Sequence, residues 1–263
     1  MLPSAKAVPY SYSNGFETNI TDWDAFGGSF NATRVASGTN GITSASGSFH
    51  AESSATGSAS RWGGYNYGAG GGVPTVFQEY KSSVDIYLDI AGGWGKNTRF
   101  DFDSAINNSL GNFNRDFIFN AGFYNALDVT GSGSGTNRFV ISASTNSQPG
   151  SAFAKNPAPN SPIAISTSGW YTFDHHFYDN AGVLAVDMSI FDSADTLVNS
   201  WTVSVPADLI GGIGGNRYGW FDYNQFSTPA FDNAELQVVP EPASAALLGL
   251  GTLLLAVRRR RRA

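Results

Sequence analysis

The strongest constraint on the fold is the run Ser83-Val84-Asp85-Ile86-Tyr87-Leu88-Asp89-Ile90. Side chains alternate faces along a strand, so Val84, Ile86, Leu88 and Ile90 share one face, while Ser83, Asp85, Tyr87 and Asp89 share the other. That is the pattern of a half-buried β-strand. Short runs of the same kind recur at 115–120, 138–142, 182–191 and 200–205, each bounded by Gly, Asn, Asp or Pro. Helical periodicity is absent before residue 243. Many strands with no intervening helices predict an all-β domain over residues 8–238, an antiparallel two-sheet jelly-roll sandwich rather than a barrel or a parallel fold. The glycine-rich stretches 68–72, 131–135 and 211–215 read as loops between strands, and none has phosphate-loop spacing.

Composition removes several function classes. Hydrophobic residues at 41% and aromatics at 14% suffice for a packed core. Five of the 15 basic residues are Arg258–Arg262; the rest of the chain holds 10 basic against 21 acidic residues, a net charge of about −11. An acidic body repels phosphate backbones, so nucleic acid is not an expected partner. Zero cysteine excludes disulfides, thiolate catalysis and zinc-thiolate sites.

The C-terminal segment has three parts. Val239-Pro240-Glu241-Pro242 cannot continue a helix or a central strand and stays extended, as a protease substrate requires. Ala243–Val257 is an uncharged, mostly apolar stretch. With its flanks it approaches the roughly 17–25 residues of a membrane-spanning helix, and a single transmembrane helix is expected here. Arg258, Arg259, Arg260, Arg261 and Arg262 then mark the cytoplasmic side by the positive-inside rule, which puts residues 1–239 across the membrane. A buried core helix rarely ends in such a cluster.

These parts, in this order, resemble the PEP-CTERM sorting domain of Gram-negative bacteria. The resemblance covers residues 239–263 and implies recognition by an exosortase, a membrane-embedded transpeptidase-like enzyme. It also implies a passage through the inner membrane that ends in the cell envelope or extracellular matrix. The motif residues are then a substrate signal and not a catalytic site. Export needs an amino-terminal signal, and Ala5-Lys6-Ala7 has the small-x-small form of a signal-peptidase site, so residues 1–7 are read as the remnant of a signal peptide. A chance occurrence of that pattern is the alternative.

The body is similar to concanavalin-like or laminin-G-like sandwiches of exported proteins. The residues that carry the similarity are Asn14-Gly15-Phe16-Glu17 with Trp23, Asp85–Asp89, Gly169–Phe173, Gly215–Phe221 and Phe231-Asp232-Asn233. It implies a fold rather than an activity. In such jelly rolls an early glutamate and a late aspartate bind calcium; here these would be Glu17 and Asp232, a structural calcium site tying the chain ends together. Solvated carboxylates at strand ends are the alternative.

Sugar recognition needs aromatic faces beside amides and carboxylates. Trp62, Tyr65, Tyr67 and Trp94, in glycine-rich context, are the candidates for polysaccharide binding, whereas Trp23, Trp170, Trp201 and Trp220 lie beside apolar runs and are expected in the core. An enzyme is not expected. Asp101-Phe102-Asp103 places two carboxylates on one face, but no further catalytic carboxylate accompanies them, and no Gly-x-Ser-x-Gly elbow occurs. The adjacent His175 and His176 point to opposite faces of a strand, one inward and one solvated. The expected function is therefore a sorted, exported protein with a structural or adhesive body, or alternatively a calcium-stabilised carbohydrate-binding module.

Overall fold

The structure, a computed structural model, describes residues 11–23, 32–53, 62–66, 73–95, 98–125, 136–145, 161–222 and 230–239. Among the described residues fourteen strands form two antiparallel sheets. Sheet A has the order β12-β11-β10-β5-β14-β3-β2, with β1 also pairing β14. Its strands are β1 (Tyr12–Asn14), β2 (Ala32–Ala36), β3 (Phe49–Ser53), β5 (Tyr80–Leu88), β10 (Gly169–Asn180), β11 (Val183–Asp192), β12 (Leu197–Leu209) and β14 (Ala230–Val238). Sheet B runs β4 (Trp62–Asn66), β13 (Ile213–Asp222), β6 (Arg99–Asn108), β7 (Phe113–Tyr124), β8 (Arg138–Thr145) and β9 (Ile163–Ile165). The expected two-sheet, all-β architecture is present. Among the described residues no helix is long and apolar enough to cross a membrane, and the expected transmembrane stretch 243–257 lies outside them, as does the signal-peptide remnant at residues 1–7.

Alternation does what the sequence predicts on β5. Val84, Ile86, Leu88 and Ile90 are buried, while Asp85, Tyr87 and Asp89 face outward. β10 repeats the pattern, with Tyr171, Phe173, His175 and Phe177 directed into the core. Across the interior, Phe173 meets Phe119 edge-on at 5.2 Å and Phe100 at 6.1 Å, and Phe117 meets Phe177 at 5.4 Å. These pairs interlock sheet A with sheet B. Edge-to-face aromatic pairs contribute about 0.5–1.5 kcal/mol beyond the area they bury.

Two polar links also cross the sandwich. Arg115 on β7 forms a two-pronged ion pair with Asp208 on β12: Nε donates to Oδ2 at 2.6 Å and Nη2 to Oδ1 at 3.1 Å. Both residues are buried. His175, fully buried among Phe102, Phe119 and Phe177, donates from Nε2 to the carbonyl of Phe117 on β7 at 3.1 Å. Its neighbour His176 lies on the outer face and meets Glu79 Oε1 at 2.8 Å. The two histidines divide as expected.

Two sequence expectations need correction. Gly211–Gly215 is not simply a loop: a short 3-10 turn covers Ile210–Gly212 and β13 begins at Ile213. A Cβ on Gly214 would sit 2.3 Å from Pro74 O and 2.5 Å from Asn108 O, so this strand glycine permits a close backbone approach. Trp220 does not join the main core either. It stacks on Tyr218, ring centroids 3.5 Å apart, in a separate cluster with Ala105 on the outer face of sheet B, because the inward position of that pair belongs to Phe221. Trp23 does fill the core, between Phe16, Phe221 and Phe231.

The buried pair makes a direct prediction. Asp208→Ala strands the Arg115 guanidinium without a counter-charge and should lower unfolding free energy by about 3–5 kcal/mol in urea titration. Burial holds the His175 imidazole neutral, with a pKa depressed to about 3. Between pH 6.5 and about 3 the unfolded chain takes up a proton that the folded one refuses. Stability should therefore be full above pH 6.5 and fall by roughly 1.4 kcal/mol per pH unit below it. His175→Gln should remove that component of the acid limb in the same titrations.

Candidate functional site

The junction between sandwich and C-terminal motif is built by β14. This strand lies inside sheet A, pairing with β5 on one edge and with β3 and β1 on the other. Its register runs to Val238 opposite Tyr80, and Val239 N then donates to Glu79 O at 2.8 Å. The hydrogen-bonded body therefore extends to the residue directly before Pro240. Pro240, Glu241 and Pro242, and Arg258–Arg262, lie outside the described residues. β1 pairs antiparallel with the same strand, Tyr12 opposite Leu236, so the first strand and the last exit at one end of the sandwich.

Glu17 and Asp232 both hold the segment that leads into β3. Glu17 Oε1 accepts the N–H groups of Ser48 and Phe49 at 2.9 and 3.0 Å. Asp232 Oδ2 accepts Ser46 N at 3.2 Å, and its Oδ1 accepts Asn233 N at 2.9 Å. Asn233, at φ 45°, bulges β14 and sends its own side chain to Asp85 Oδ2 at 2.8 Å and to Ser46 Oγ at 2.7 Å. His50 is fully buried, 3.0 Å from Ser44 Oγ and 3.3 Å from Glu52 Oε1, and the exposed Asn40 donates to Glu52 Oε2 at 2.8 Å.

Glu17 and Asp232, the pair expected to share a calcium ion, accept backbone N–H groups of Ser46, Ser48 and Phe49 and pin that segment over the sheet. Among the described residues no group of three or more His, Asp or Glu side chains is placed to hold a metal ion.

The aromatic candidates are dispersed. Trp62 and Tyr65 lie on β4, an edge strand of sheet B, rather than in a loop, and Tyr67 is outside the described residues. Trp94 packs against the core and donates from Nε1 to Asp89 O at 2.8 Å. The carboxylates of Asp101 and Asp103 are both buried, and Asp101 accepts Asn120 Nδ2 at 3.3 Å and Arg99 Nη2 at 3.2 Å.

Trp170, expected in the core, is on the outer face of sheet A. Tyr171 takes the inward position on β10, so its neighbour must point out. The indole Nε1 donates to Thr43 O at 2.7 Å, and Tyr87 and His50 meet the ring edge-on at 5.4 and 5.9 Å. Beside it opens a cleft of about 290 Å³, lined by Thr43, Asp85, Trp170, Thr172, Asp192 and Asp195 among others. Sequence reading missed it; the available signal was strand parity, Trp170 and Thr172 alternating with Tyr171 and Phe173.

Burial raises the Asp232 carboxyl to about 6, against the two N–H groups that favour its ionised form. The folded chain thus holds a proton between pH 3.8 and 6 that the unfolded chain has released. This group's contribution is complete below pH 3.8 and is lost as pH rises through 6. Relative to Asp232→Asn, the wild-type melting temperature should fall between pH 4 and 7.

No curated protein matches this sequence. Several solved structures are similar to it. A protein of unknown function from Shewanella oneidensis MR-1 is 13% identical at a TM-score of 0.43, over 87% of this chain and 86% of that one. Winged bean acidic lectin, complexed with methyl-α-D-galactose, is 10% identical at 0.41, over 86% and 97%. The CBM2 module of the evolved Dit of Lactobacillus casei BL23 phage J-1 is 13% identical at 0.43, over 86% and 95%. Against the family models the finding is local and specific: residues 238–262 match the PEP-CTERM protein-sorting motif, and the chain carries that motif directly behind its β-sandwich.

Proposed function

We propose that this protein is exported and then sorted by an exosortase that reads Val239-Pro240-Glu241-Pro242, leaving the sandwich in the cell envelope or extracellular matrix. The observation that carries the reading is the match of residues 238–262 to the sorting motif, placed where the sandwich's last strand ends. Processing beyond Val239 leaves every described hydrogen bond of β14 in place, so the body can be separated from its tail without unfolding. In this reading Ala243–Val257 crosses the inner membrane as one helix and Arg258–Arg262 stay on its cytoplasmic side, in keeping with the positive-inside rule. Residues 1–7 are the end of the export signal.

The sandwich, a concanavalin-like jelly roll in this reading, acts without catalysis as a structural or adhesive body. Chain-adjacent strands β3 and β4, and again β5 and β6, fall in different sheets, which is the crossing pattern such a fold requires. Matrix polysaccharide is the partner we infer for it. The specific observation in favour is the open cleft beside Trp170, where an indole and several carboxylates share one surface. Trp62 and Tyr65 on the edge strand β4 are further candidates for contact, with Tyr67 and Trp94.

The test is the intact mass and location of the protein in its host, compared with Pro240→Ala/Glu241→Ala/Pro242→Ala. Wild type should appear outside the inner membrane without its tail, and the triple variant should remain embedded and uncut. If both keep residues 243–263, the segment is an anchor only and the sorting proposal fails.

A further inference from the structure

The cleft on the outer face of sheet A has a built floor and two built walls. Asp85 and Thr172, opposite one another on β5 and β10, make the floor, with Thr172 Oγ1 donating to Asp85 Oδ1 at 2.5 Å and Asn233 Nδ2 to Asp85 Oδ2 at 2.8 Å. One wall is Trp170, fixed by its bond to Thr43 O. The other is the turn between β11 and β12. There Asp192 Oδ1 accepts the N–H groups of Ala194 and Thr196 at 2.9 and 3.0 Å, and Asp195 stands at φ 57°. The backbone N–H of Thr196, then that of Ala194, hold the Asp192 carboxyl below its ordinary range, so it stays ionised in mildly acidic medium.

The chemistry of these walls selects a ligand. An indole face packs against the apolar face of a pyranose ring, and hydroxyls and carboxylates bond its hydroxyl groups. Asp85, Asp192 and Asp195 give the cleft one sign of charge, within a body of net charge about −11 once Arg258–Arg262 are set aside. Anionic sugars are repelled there. A protonated amine is attracted by the carboxylates. A volume of about 290 Å³ sits near the lower limit of ligand sites, roughly 300–1,000 Å³.

We propose that this cleft binds one sugar unit of a glycan and prefers a unit carrying a free, protonated amine. The proposal rests on the polysaccharide reading above and names its site and ligand class; it is independent of the sorting step.

Calorimetry at about pH 5.5, above the ordinary carboxylate range, with the full chain and three probes separates the outcomes: glucosamine oligomers, N-acetylglucosamine oligomers and polygalacturonate. Glucosamine oligomers should bind at least about tenfold more tightly than the acetylated ones, and polygalacturonate should not bind. Asp195→Asn keeps the turn, since asparagine tolerates φ near 57°, and should reduce the amine preference about tenfold while leaving the acetylated oligomer unchanged. Trp170→Ala should remove binding of both. Equal binding of amine and acetylated oligomers overturns the amine preference and leaves the polysaccharide reading standing. If no oligomer binds, both fall. Binding untouched by either substitution, or polylysine binding as tightly as the amine oligomer, overturns the assignment of this cleft to a sugar.

Discussion

The sandwich depends on an aromatic layer in which side chains from two sheets interdigitate. Phe173 stands between Phe100 of β6 and Phe119 of β7, and Phe177 meets Phe117 of β7, so rings of β10 are held by rings of the facing sheet. Aromatic rings are rigid and bury large areas for little conformational entropy, and their edge-to-face geometry fixes the spacing between sheets. Once that spacing is set, the outer faces are free to carry chemistry. The outward neighbours of the core residues on β10 include Trp170, Thr172 and His176, and all three make their contacts on the far side of the sheet from the aromatic layer.

Two buried polar links in this interior reach across the layer. Asp208 reaches Arg115 from the opposite sheet, and His175 donates to a carbonyl of β7. Such groups are costly to bury, and the hydrogen bonds they make here form only when the two sheets are aligned. They add alignment to an interface that hydrophobic burial alone would leave tolerant of sliding.

β14 connects this body to the C-terminal motif. It is flanked on both edges and carries Phe231 and Leu236 into the core, and its Asp232 and Asn233 hold the segment 44–49 over the sheet. A strand anchored so thoroughly gives a firm boundary: the hydrogen bonding of the body runs to Val239. Pro240 and Pro242 cannot donate to a ladder, so strand pairing has a covalent reason to stop there. The same segment therefore closes the fold and presents the sorting motif.

Local chemistry was enough to read several features from the sequence. Period-two alternation on Ser83–Ile90 specified which side chains of β5 are buried, because the pleat allows only two faces. The Pro-Glu-Pro, apolar and arginine parts specified a sorting motif, because their function is read by contiguous residues and needs no folding. Alternation also separated His175 from His176. It does not say which sequence-distant residues meet, nor which of two alternating faces a given tryptophan occupies. Trp170 beside Tyr171 and Trp220 beside Phe221 each lost the inward position to a neighbour that fits the facing sheet better. Glu17 and Asp232 both reach the segment 46–49, which no local pattern announces, and the backbone N–H groups there make hydrogen-bond anchors of both. The cleft beside Trp170 combines residues 43, 85, 170, 172, 192 and 195. Only the pairing of β5 with β10, together with the turn after β11, brings those together, since that neighbourhood is set by long-range packing and not by any local pattern.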